Sequence, residues 1–136
     1  MVKKFKIKDK HWGEKIWLII STPEELIYHI QKLYKVNVSR PGSQGCSFEI
    51  GSKHFIWANS RDYQVGNISN DFMATVIHEV VHVVGNVSRK LGFKLEEASE
   101  EAYAYYTQFI CFEIFEIFSE ENRNNLKKVN KKRKKK

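Results

Sequence analysis

DFMATVIHEVVHVVGNVSRKLG, residues 71–92, is the stretch from which the rest of the chain is best read. Phe72, Val76, Val80, Val83, Val87 and Leu91 recur at three- and four-residue spacing, the period of one apolar helix face. Asp71 stands where an N-cap is needed, and Gly92 where a helix can stop. Glu79 is the only charge between Asp71 and Arg89, which predicts a largely buried helix. Thr75, His78 and His82 form a neighbouring stripe on it.

Outward from this helix the pattern changes period. Residues 3–8 alternate lysine with Phe5 and Ile7, and residues 15–21 (KIWLIIS) are a more apolar run, so both predict strands. Thr22, Pro23 and Glu25 form a helix start with a capping box, followed by Leu26, Ile27, Ile30, Leu33 and Tyr34 at helical spacing. Residues 37–45 read as a loop, and residues 46–50 and 53–58 as a hairpin about Gly51-Ser52. Beyond Gly92, residues 94 to about 121 carry the longest helical pattern, apolar enough between Phe109 and Phe118 to predict a buried domain helix. The order ββαββαα predicts an α+β fold, a small antiparallel or mixed sheet packed on the 71–91 helix and a long C-terminal helix.

Composition narrows the class. The chain has 136 residues, enough for one domain, with 13% aromatics and only 2 Pro, which excludes a disordered or collagen-like chain. No 20-residue stretch is free of charge, so no membrane span is expected. The basic start lacks the apolar run of a secretion signal, and the expectation is an intracellular protein. Cys46 and Cys111 are too few and too far apart for a disulfide scaffold or an all-cysteine metal site. Residues 127–136 hold 8 of the 23 Lys and Arg; the remaining 23 − 8 = 15 face 16 acidic residues, a net of −1. The basic character belongs to the end of the chain, giving a compact domain over 1–121 and a basic, disordered tail over 122–136. Such a tail can make salt-sensitive contact with nucleic acid or another polyanion.

His78 and His82, four apart on a helix, project their imidazoles from one face, as two ligands of one tetrahedral Zn²⁺ require. Glu79, one residue on, is placed to act as general base on an attacking water. Two ordinary core histidines are the plainer account of the same residues. The segment from Thr75 to Val84 resembles the zincin metallopeptidases, in the HExxH motif and in the uncharged residues around it. The metzincin branch is excluded, because Ser88 stands where its third histidine belongs and no downstream methionine exists for its Met-turn. The gluzincin branch takes its third ligand from a glutamate on the next helix, and Glu101-Ala102-Tyr103-Ala104-Tyr105 is similar to that motif.

A helix starting soon after a Gly92 turn would place Glu101 level with His82, with Glu97 one turn away as the alternative ligand or a partner to a histidine. What the resemblance implies is one zinc per chain on His78, His82 and Glu101, and hydrolysis of a peptide or protein substrate with Glu79 as base. It also implies an oxyanion donor, for which Tyr103, Tyr105, Tyr106 and His54 are candidates; Tyr105 is preferred because it shares a face with Glu101. Substrate would lie along an edge strand preceding the motif helix, here Phe55–Asn59. The compact size is similar to phage- and mobile-element-encoded metallopeptidase-like proteins. Two other functions compete with this one: a zincin-like protein whose zinc site is non-catalytic and serves protein binding, and a nucleic-acid-binding protein led by the tail.

Overall fold

The computed structural model describes residues 1–41 and 44–133, apart from the side chain of Ala98. Among the described residues four strands form one mixed sheet: β1 (Lys3–Lys8), β2 (Lys15–Ser21), β3 (Gly45–Ile50) and β4 (Lys53–Asn59), in the order β1-β2-β4-β3. β2 and β4 run parallel at the centre, with Ile16 opposite His54 and Ile20 opposite Ala58; the two outer pairings are antiparallel. Three α-helices among the same residues complete an α+β fold: α1 (Pro23–Tyr34), α2 (Asn70–Lys90) and α3 (Glu100–Arg133). Among the described residues no helix is long and apolar enough to cross a membrane.

The alternation of side chains along the strands divides the core in two. Ile16, Leu18, Ile20, Ile56 and Ala58 face α2 and α3, while Ile19, Phe55 and Trp57 face α1. The central strands are therefore apolar on both sides, as parallel strands covered on both faces must be. α1 enters on the expected capping box: Thr22 Oγ1 accepts from Glu25 N–H at 3.3 Å, and Glu25 Oε2 accepts from Thr22 N–H at 3.1 Å. The β3–β4 hairpin turns at Gly51, whose φ of +60° is the left-handed conformation a tight turn needs there.

Several boundaries depart from the sequence-based expectation. Ser69, not Asp71, caps α2, its Oγ accepting from Phe72 N–H at 3.1 Å. Gly92 does end that helix, at φ +82°, with Phe93 N–H donating to the Ser88 carbonyl at 2.8 Å. Leu91, placed on the apolar stripe, is exposed because it lies past the last full turn. α2 is less enclosed than its uncharged sequence suggested: Ile77, His78, Val81 and His82 are all exposed. Residues 93–99 are a connection containing one 3₁₀ turn (Glu97–Ser99), so α3 starts at Glu100, later than expected.

α3 then continues through Arg133, so residues 122–133, expected as a disordered tail, are helical; residues 134–136 of that tail lie outside the described residues. Only Tyr106, Ile110, Ile114 and Phe118 of α3 are buried, one stripe at four-residue spacing, although a more fully buried helix was expected. Finally, Phe55–Asn59 is not at an edge. β4 pairs on both sides and is buried on both faces from His54 to Ala58, and the outer strand next to it is β3.

Candidate metal and catalytic site

α2 lies across β3 and β4, and α3 lies nearer β1. Lys3 Nζ, on β1, donates to Glu121 Oε1 at 2.7 Å, and Tyr106 OH donates to Asp9 Oδ2 at 2.9 Å just beyond β1. The flank of α2 that looks toward β3 carries the motif. There a cavity of about 450 Å³ is lined by Gln44, Gly45, Ala74, Thr75, His78 and Glu79. His78 and His82 are exposed, and their Nε2 atoms converge to 3.1 Å. Glu79 turns inward and is buried, its Cγ against the backbone of β3 at Gly45.

The spacing of the two imidazoles bears directly on zinc. Two nitrogens bound at 2.0–2.1 Å to one tetrahedral ion stand about 3.3 Å apart. The observed 3.1 Å is close to that separation, and the same two nitrogens can also share one proton as an N–H···N hydrogen bond. The pair therefore fits two positions of a zinc site. Among the described residues, however, no group of three His, Cys, Asp or Glu side chains is gathered to hold a metal.

Glu101 is exposed on the first turn of α3 and is not level with His82 as the sequence predicts. Contact between the Phe72 and Phe118 rings, 6.0 Å between centroids, sets the antiparallel register of α2 against α3. Equal steps from that pair bring Glu101 level with Arg89, about seven residues or about 10 Å from His82. The expected alignment assumed a helix beginning at Lys94, whereas seven residues are spent on the 93–99 connection. Glu97, the alternative, is in that connection and is likewise exposed.

The candidate oxyanion donors are dispersed. Tyr105 is exposed and lines a different cavity with His11, Trp12, Ala102 and Tyr106. Tyr106 is buried; that burial, with the nearby Asp9 charge, pushes its hydroxyl well above the usual tyrosine range. Tyr103 is packed against the core. His54, buried on β4, stands between Glu14 Oε2 at 3.2 Å and Glu49 Oε1 at 2.9 Å. None of these four lines the cavity beside His78.

Two neighbours of the site escaped the sequence reading. Gly45 read only as a loop residue, yet a Cβ there would meet Thr75 Cγ2 at 2.5 Å, the Trp57 carbonyl at 3.1 Å and Glu79 Cγ at 3.2 Å. Only a glycine lets β3 approach α2 this closely, and nothing local in the sequence signals a contact made between residues 45 and 79. Gly45→Val is expected to cost about 1–3 kcal/mol by overpacking and to displace Glu79; urea denaturation, with an Ala variant for comparison, measures it. Cys46 is the other neighbour. Burial, with the Glu79 charge nearby, pushes its thiol up to about 11, so it is no nucleophile at neutral pH. Compared with models of protein families, with curated proteins and with solved structures, the chain matches none.

Proposed function

We propose that this protein is a zinc-dependent hydrolase of the metallopeptidase type, with His78 and His82 as metal ligands and Glu79 as general base. The observation that carries this reading is the convergence of two imidazole Nε2 atoms at 3.1 Å on a helix whose intervening glutamate is buried beside the same cavity. A bound zinc ion supplies Lewis acidity that makes water nucleophilic near neutral pH. Glu79 takes the proton of the attacking water and returns it to the leaving amine. β3, beside the cavity, is the last strand in the sheet order β1-β2-β4-β3, and an outer strand is where an extended peptide adds to a sheet, which supports a peptide or protein substrate.

Metal content by elemental mass spectrometry tests the reading, on protein purified without a metal-binding tag. The expected result is about one zinc per chain, abolished in His82→Ala. Glu101, the third ligand that the resemblance implies, stands apart from the pair in the structure, and Glu101→Ala decides its part. Loss of zinc assigns Glu101 to the site, and retention removes it. Absence of metal from the unaltered protein, even after zinc is added, overturns the proposal. A non-catalytic zinc site that serves protein binding is the second reading, favoured by the exposure of both histidines.

A further inference from the structure

α3 has two faces, and the fold uses one of them. The buried stripe ends at Phe118, yet the helix runs a further fifteen residues to Arg133. Five large apolar residues of α3 are exposed: Tyr105 (66%), Phe112 (59%), Phe115 (42%), Leu126 (54%) and Val129 (39%). Steps of alternately three and four residues from Tyr105 to Arg133 pass through all five. That is the 3.5-residue repeat of a coiled-coil seam, here turned away from the protein's own core. An isolated helix gains nothing from such a seam, and leaving these groups in water forgoes their burial.

The charges of α3 identify what covers it. Glu100, Glu101, Glu113, Glu116, Glu120 and Glu121 supply every charge before residue 122. Arg123, Lys127, Lys128, Lys131, Lys132 and Arg133 supply every charge after it. A second α3 laid parallel would bring the two basic ends together and the two acidic stretches together. Laid antiparallel, each basic end faces the other helix's acidic part.

One antiparallel register also matches the seam residue for residue. It sets Phe112 opposite Val129, Phe115 opposite Leu126 and Ser119 opposite Asn122, apolar with apolar and polar with polar. Asn122 is half-buried at the margin, near Gly66. A polar layer of this kind is the usual device for holding one register of a coiled coil. Among the positions flanking the seam, the same register places Glu116 beside Arg123 of the second copy, twice by symmetry. Both side chains are exposed in the single chain.

We infer that the exposed seam of α3, running from Phe112 to Val129, pairs two copies of this chain as an antiparallel coiled coil. The interface is isologous and closes on itself, giving a dimer and no larger array. It is independent of the zinc reading, since it uses a different face of a different helix.

Light scattering during size exclusion, over a series of protein concentrations, tests the pairing. The expected mass is twice the chain's 16.0 kDa. The paired substitution Leu126→Gln with Val129→Gln lies beyond the last core residue, and it is expected to raise the dissociation constant by roughly a hundredfold. The melting of the domain, followed by tryptophan fluorescence in the monomeric form, should stay unchanged. Orientation is read from charge reversal: Arg123→Glu weakens the dimer, and adding Glu116→Arg to the same chain restores it. A protein that stays monomeric throughout, or a dimer indifferent to the 126 and 129 changes, overturns the inference. Failure of the second reversal to restore association overturns the antiparallel arrangement. A monomer that shifts duplex DNA in a gel through Lys127 and Lys128 overturns it too, and gives the basic stretch to nucleic acid instead.

Discussion

Under the proposed zinc-hydrolase mechanism, Glu79→Gln is expected to lower peptide hydrolysis by roughly 10²–10⁴-fold while leaving zinc content unchanged. The amide has the shape of the carboxylate and still fits against Gly45, so packing is preserved. What disappears is the basic oxygen to which the proposed mechanism gives the proton of water. His78 and His82 are untouched, and the 3.1 Å convergence of their Nε2 atoms does not depend on residue 79. Cleavage of a broad peptide library, scored by mass spectrometry beside a metal assay, reads both quantities on one preparation. Cleavage that survives in the glutamine variant would remove Glu79 from the reaction.

Trp57→Ala is expected to cost about 3–5 kcal/mol of folding stability, the range for deleting a buried aromatic side chain. Trp57 is fully buried on the α1 side of the sheet, in the cluster with Ile19, Leu26, Ile30 and Phe55. Its indole N–H donates to Ser21 Oγ at 3.0 Å, tying β4 to the end of β2 across the centre of the sheet. Removal leaves a cavity at the junction of sheet and helix and takes from the Ser21 hydroxyl its buried donor. Against a typical total of about 5–15 kcal/mol, that loss is a large fraction. Trp57→Phe, which keeps most of the volume, should cost clearly less. Urea denaturation followed by far-UV circular dichroism measures both, and a loss under about 1 kcal/mol in the alanine variant would contradict this placement of the core.

The elements were largely legible because their signals are local. Thr22, Pro23 and Glu25 announce α1 within four residues, and the observed bonds are those of the capping box. Gly51-Ser52 announces the hairpin, and the four-residue spacing within the motif puts His78 and His82 on one helix face. The less legible features each depend on distant partners. The sequence of Lys53–Asn59 reads equally well as an edge or a central strand; its placement follows from pairing with β2, more than thirty residues earlier. Residues 93–99 could have been helix or connection, and that choice moved Glu101 about two turns along α2.

By itself, then, the sequence determined the strand and helix inventory, the α+β class, and the pairing of two imidazoles next to a carboxylate. Periodicity, capping and i,i+4 geometry act over a single turn or hairpin, and need no knowledge of the rest of the chain. The tertiary structure alone decided that β3 is the outer strand, that Gly45 admits Glu79 beneath it, that Glu101 stands away from the pair and that α3 leaves an apolar seam uncovered. Those outcomes follow from which surfaces bury one another, and burial is a property of the assembled sheet and helices rather than of any one segment.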